Sequence, residues 1–280
     1  MLAYRHAFHA GNHADVLKHS VLTQVLRHMA QKDKPYRLID THAGAGGYSL
    51  GTPEALKKGE FEHGIARLMD RSDLPPLVAD YVQLVRDFNP DGGLGRYPGS
   101  PEFERRLLRP HDELRLFELH PADLRTLAAH HADRPHTEVH HEDGFTGLRG
   151  QLPPPSRRAV VLIDPSYELK ADYGRLVATV REALQRFAEA VILVWYPQVS
   201  RLEAAQLPKR LQNLAPKGWL HARLTVQPLD VQGFGLAGSG MVVINPPWTL
   251  HAQLRDTLPY LAQALAQVDT PSHLLEQRAA

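Results

Sequence analysis

With 280 residues, 43% of them hydrophobic, the chain can bury one large α/β core or two small ones. It has no cysteine, which excludes disulfides, thiolate metal sites and cysteine nucleophiles. A formal charge of +1 and a pI near 8.1 are too balanced to mark the whole surface as nucleic-acid binding, so any such surface is expected to be local.

Residues 1–12 lack the apolar run of a signal peptide or membrane span, and a cytoplasmic location with no membrane partner is expected. From Tyr4 to His19 the chain is dense in aromatic, basic and imidazole side chains, which marks a site rather than scaffold. Asn12 is the expected N-cap of a helix in which Val16, Leu17, Val21, Leu22, Val25, Leu26 and Met29 recur at helical spacing through Ala30. His6, His9 and His13 are spaced like metal ligands, but no carboxylate or thiol completes a recognisable set, and no metal is expected.

Tyr36 to Ile39 read as a strand feeding a glycine-rich turn, Asp40 to Gly47. Gly44 and Gly46 would let the backbone approach a nucleoside closely. The third glycine of a dinucleotide fingerprint is missing, so a nucleoside without phosphates fits better than a pyrophosphate. Residues 51–98 offer helical stretches near Gly59 to Arg71 and Leu74 to Phe88 and no strand. They read as a helical insertion, either a solvated lid or a substrate contact through Lys57, Lys58 or Arg67. The expected organisation is thus an amino-terminal segment with the first strand (1–50), an insertion (51–98) and the remainder of the domain (99–280). After Pro98-Gly99-Ser100-Pro101, the arginines Arg105, Arg106 and Arg109 form the best small basic patch.

Glu113 to Leu119 is the second strand, and it brings Glu118 to the place where doubly wound folds put a ribose-binding acid. Its distance from Gly44 far exceeds the usual spacing of about 20 residues, which the insertion explains if it packs outside the sheet. A helix from Ala122 to His131 and a strand from Thr137 to His140 lead to Asp143, Gly144 and Phe145. Asp143 and Phe145 either hold an adenine or form a plain loop.

Ala159 to Ile163 has the length and branching of a fully buried parallel strand, stopped by Asp164-Pro165-Ser166-Tyr167. Such a loop can hold a planar amine: Asp164 and the Pro165 carbonyl accept its hydrogens while Tyr167 stacks on the ring. Helices from Tyr173 to Phe187 and Ser200 to Leu214, strands over Ala190–Tyr196, Trp219–Gln227 and Gly240–Ile244, a helix over Leu250–Gln267 and a polar tail complete the chain. Asn245-Pro246-Pro247-Trp248 competes as a second amine-binding loop. Strand order decides against it: the fourth strand ends at the cofactor crevice, whereas an antiparallel seventh ends at the opposite edge.

Taken together, Tyr4 to His19, Leu38 to Gly46, Glu118, Asp143-Gly144 and Asp164 to Tyr167 resemble the bacterial 23S ribosomal RNA adenine-N6 methyltransferases that depend on S-adenosylmethionine. The resemblance spans essentially the whole chain. It implies a Rossmann-like class I methyltransferase, with a seven-stranded, mostly parallel sheet, helices on both faces and a small helical insertion. It further implies cofactor contacts from Lys18, His19, His42, Gly44, Ser100, Glu118, Asp143, Gly144 and Asp164. Asp164, Pro165 and Tyr167 would be catalytic, and Tyr4, His6 and Tyr167 would meet the substrate. S-adenosylhomocysteine would be the product, and 23S RNA, protein-free or in an early assembly intermediate, the partner of a monomer. The family's loop has a second proline where this chain has Ser166. Methylation of DNA adenine or of a protein glutamine is the nearest alternative, and a nicotinamide-dependent oxidoreductase the alternative of another class.

Overall fold

The computed structural model describes residues 5–230 and 235–279. Asn12 caps α1 (His13–Ala30) by accepting from the amides of Ala14 and Asp15, and the predicted apolar stripe of this helix is buried. Then β1 (Arg37–Asp40) leads into an antiparallel ribbon of β2 (Gly47–Ser49) with β3 (Arg96–Pro98). Between the ribbon strands lie α2 (Pro53–Lys58), α3 (Ala66–Met69) and α4 (Pro76–Asp87), so the interval read as purely helical also holds a strand. Through Val78, Tyr81, Val82 and Val85, α4 joins the same core as α1.

Downstream, α5 (Ser100–Leu107) precedes β4 (Glu113–Phe117), α6 (Pro121–His131) and β5 (Thr137–His140). They are followed by α7 (Gly144–Gln151), β6 (Ala159–Ile163), α8 (Lys170–Arg186), β7 (Val191–Gln198) and α9 (Leu202–Gln212). The chain closes with β8 (Trp219–Thr225), β9 (Gly238–Ile244), α10 (Leu250–Ala264) and β10 (Ser272–Arg278). The main sheet runs β10-β8-β9-β7-β6-β1-β4-β5 and has eight strands where seven were expected. The extra one, β10, was read as a polar tail. It pairs antiparallel with β8 at the sheet's edge, where most of its side chains face solvent and no apolar pattern is needed.

β6 lies at the centre and is completely buried. Its residues alternate between two cores: Val160 and Leu162 face α1, α4 and α10, while Val161 and Ile163 face α7, α8 and α9. It pairs in parallel with β1 on one side and β7 on the other, and β9 is antiparallel to β7. The chain moves outward from β1 toward β4 and returns to β6 on the other side. This reversal opens a crevice at the carboxyl ends of β1 and β6. No helix among the described residues is long and apolar enough to cross a membrane.

The helix α7 was not foreseen, because Gly144, Gly147 and Gly150 suppress helix propensity. Asp143 caps it, and Gly147 permits contact with β4: a Cβ there would lie 2.2 Å from the buried Phe117 ring. Gly147→Ala is therefore expected to lower stability by about 1–3 kcal/mol despite its better helix propensity. A thermal melt checks this, and an unchanged or raised midpoint would contradict the packing account.

Candidate active site

A cavity of about 870 Å³ opens over the carboxyl ends of β1, β4, β6 and β7 and is lined by residues from α1, the Thr41–Gly44 turn and the loops after β4, β5 and β6. Its centre is a buried ion network. The Lys18 ammonium sits 2.9 Å from Asp15 and 2.5 Å from Asp164. Asp15 also accepts from the Gly11 amide at 2.8 Å and bonds His6 at 3.0 Å. Burial alone would push Lys18 down, but the two carboxylates outweigh it and hold the ammonium well above the usual lysine range. Burial likewise works against ionised Asp15, and His6 and Lys18 overcome it.

The turn after β1 is held from both sides. Thr41 donates to the Leu162 carbonyl and the Ala43 amide to that of Phe117, while the Gly44 amide donates to Glu118 at 2.9 Å. Gly44 takes a positive φ of +63° and lies against the Tyr48 hydroxyl. Glu118, raised by burial, also accepts from the His120 amide. Burial lowers His42 to about 4, and its ring meets Phe145 edge-on. Asp143 binds Arg175 at 2.6 Å. That contact outweighs partial burial and keeps the carboxyl below its usual range. Gly144 touches the Thr41 carbonyl more closely than any Cβ would permit.

Ser100 opens α5 and donates to Asp40 at 2.7 Å. Burial pushes Asp40 up to about 6, reinforced by the Asp164 charge. Beneath it lies Glu104, fully buried and within hydrogen-bonding reach of Asp40. Burial first, then the Asp40 charge, hold Glu104 well above the carboxylate range.

The loop after β6 is rigid by construction. Tyr167 has a φ of +54°, its hydroxyl donates to the Trp195 carbonyl at 2.5 Å, and its own carbonyl accepts from Arg201 at 3.0 Å. Its ring packs on Tyr173 and Trp195 and is only 3% exposed, so it forms a fixed wall rather than a loose platform. Asp164, Pro165, Ser166 and Tyr167 all line the cavity.

The structure thus gathers Lys18, His19, His42, Gly44, Ser100, Glu118, Asp143, Gly144, Asp164, Pro165, Tyr167 and His6 around one cavity. Tyr4 lies outside the described residues. Asn245, in contrast, follows antiparallel β9, does not line the cavity and ties down the Ala188 and Ala190 carbonyls. The expected basic patch is not free: Arg105 and Arg106 pair with Glu102 on the same helix face, and Arg109 pairs with Asp112 in the turn before β4. Arg67 is spent on the Ala266 carbonyl, whereas Lys58 reaches the cavity. His6, His9 and His13 diverge, His6 to Asp15 and His9 to Glu60, while His13 is buried and lowered to about 4.

Sequence reasoning missed Asp15, Asp40, Trp195 and Arg201. The first had a signal, since it stands three residues before Lys18 on one helix face. Asp40 stood at the head of the predicted turn, while Trp195 and Arg201 reach the site only through the sheet topology.

Residues 33–276 match the family described as "Ribosomal RNA large subunit methyltransferase D, RlmJ". The chain is 44% identical to ribosomal RNA large subunit methyltransferase J of Escherichia coli K12 over 270 residues, 96% of each protein. It is 43% identical to the protein of the same name from Haemophilus influenzae, covering 99% of this chain and 98% of the other. Among solved structures, protein LPL1258 of Legionella pneumophila superposes with a TM-score of 0.87 at 34% identity, over 96% of this chain and 98% of that one.

Because burial holds Glu104 well above the value of about 4.3 that it takes when the chain unfolds, it costs stability as pH rises from that value toward its folded one. Glu104→Gln removes this term. Its melting temperature should exceed that of the parent at pH 8, with the gap narrowing toward pH 5. A gap that does not change with pH would contradict the assignment.

Proposed function

This chain belongs to the ribosomal RNA large subunit methyltransferase J family, and from that premise we propose that it methylates N6 of a single adenine in 23S ribosomal RNA, using S-adenosylmethionine. The observation that carries the reading is Asp164, an acid at the end of the central strand, 2.5 Å from a buried lysine and facing the same cavity as the glycine turn and Glu118.

The lining suits the cofactor. Glu118 is an acceptor suited to ribose hydroxyls, Phe145 and His42 meet edge-on as a ring-lined wall, and Asp143 can accept from an adenine amine. His19, Ser100, Gly44 and Gly144 complete that wall, and Lys18 braces it. When bound, S-adenosylmethionine supplies an electrophilic methyl group.

The protein's task is to make a poor nucleophile attack. An adenine amine is conjugated with its ring, and its lone pair becomes available only as the nitrogen turns tetrahedral. Asp164 and the Pro165 carbonyl accept the two amine hydrogens and hold that geometry. Lys18 donates to Asp164 and orients its carboxylate. The target base must leave its stack to enter, with Tyr167 walling the pocket, His6 lining it and the family resemblance assigning Tyr4 to substrate contact. Ser166 replaces a proline without touching the Pro165 carbonyl, so the reaction type is kept. The substrate is protein-free RNA or an early assembly intermediate, and the enzyme acts as a cytoplasmic monomer. The 51–98 segment serves as an insertion of the methyltransferase domain rather than a unit of its own.

Incubation with labelled S-adenosylmethionine and protein-free 23S RNA from cells lacking the enzyme, beside DNA and glutamine-peptide controls, tests this. Label in N6-methyladenosine at one RNA position is the expected product. Transfer to DNA or peptide alone, or none at all, would contradict the proposal.

A further inference from the structure

Two tyrosines of the 51–98 segment reach the cavity indirectly. Tyr81 of α4 bonds Tyr97 of β3, hydroxyl to hydroxyl, at 2.9 Å, and Tyr97 bonds Nδ1 of His19 at 2.7 Å. All three side chains are completely buried, and His19 borders the cavity. Its Nε2 is buried and has no partner among the described residues.

Hydrogen-bond accounting gives this line a direction. The Tyr81 hydroxyl has one partner among the described residues, Tyr97, and a buried O–H left without an acceptor is costly. Tyr81 must therefore donate to Tyr97. Having accepted there, Tyr97 has its own hydrogen left to donate, and only His19 Nδ1 can take it. A neutral imidazole that accepts at Nδ1 carries its proton on Nε2. The reverse direction would have Nδ1 donate to Tyr97 and Tyr97 to Tyr81, leaving the Tyr81 hydrogen stranded in the core.

We propose that Tyr81 and Tyr97 are positioning residues that lock His19 as the Nε2–H tautomer, so that it offers a hydrogen-bond donor to an acceptor atom of the bound S-adenosylmethionine. This rests on the cofactor reading above. A neutral ring is what the surroundings demand: burial, then the Lys18 charge, hold His19 well below its usual range. A fixed N–H selects an acceptor, such as a carboxylate, hydroxyl or ring nitrogen, and rejects the cofactor's ammonium. The segment read from sequence as a lid or substrate arm thus acts on the cofactor side from beneath, through the core.

Nitrogen-15 imidazole spectra of the protein without cofactor provide the test, with His19 assigned by its loss in His19→Gln. The expected result is the Nε2–H tautomer in the parent and in Tyr81→Phe, where Tyr97 still needs an acceptor. In Tyr97→Phe the tautomers should mix, and calorimetric binding of S-adenosylhomocysteine should weaken about tenfold. A parent ring protonated at Nδ1 would overturn the inference, and so would a folded Tyr97→Phe with unchanged tautomer and affinity. If Tyr97→Phe fails to fold, the parent and Tyr81→Phe spectra still decide. A parent showing the expected tautomer yet binding no S-adenosylhomocysteine would overturn the cofactor reading and leave the tautomer assignment standing.

Discussion

A lysine ammonium buried between two carboxylates is the constraint around which the site is built. Lys18 is 4% exposed, and a lone charge there would be untenable. With Asp15 on its own helix and Asp164 at the end of β6, the charge is compensated and helix and sheet are pinned together. Removing one member of such a buried group costs about 3–5 kcal/mol, because the others are left uncompensated. The same bonds that fasten α1 to the sheet also aim the Asp164 carboxylate. Structure and chemistry thus depend on one contact.

Topology supplies the rest. The parallel strands β1 and β6 deliver the glycine turn and the Asp164 loop side by side, and β4 brings Glu118 against the Gly44 amide. Every one of these groups is already bonded to the protein, so the cavity is preformed rather than assembled by its ligand. The buried acids Asp40 and Glu104 lie below the floor. There a partly protonated pair supports Ser100 without adding two full charges to the interior.

Much of this was legible in the sequence, for local reasons. The stripe of α1, its Asn12 cap and the unbroken apolar run of β6 state their structure directly. Their order places Asp164, and not Asn245, at the crevice. What escaped depends on distant partners. Three glycines hid α7: Gly147 answers to the nearby Phe117 ring and Gly144 to the Thr41 backbone, while β3 and β10 are short or edge strands that pair far along the chain. The Arg105, Arg106 and Arg109 patch looked free because the count of charges does not show that Glu102 and Asp112 neutralise it. Tyr167 is recognisable by position, but its burial against Tyr173 and Trp195 is a property of the fold.

The central claim is that Asp164, whatever contact it makes to the cofactor, holds the target amine. Single-turnover methyl transfer and calorimetric S-adenosylhomocysteine binding, compared between the parent and Asp164→Asn, test it most directly. The account predicts that transfer falls by roughly 10³-fold or more while affinity stays within about tenfold. Near-normal transfer by Asp164→Asn would contradict it.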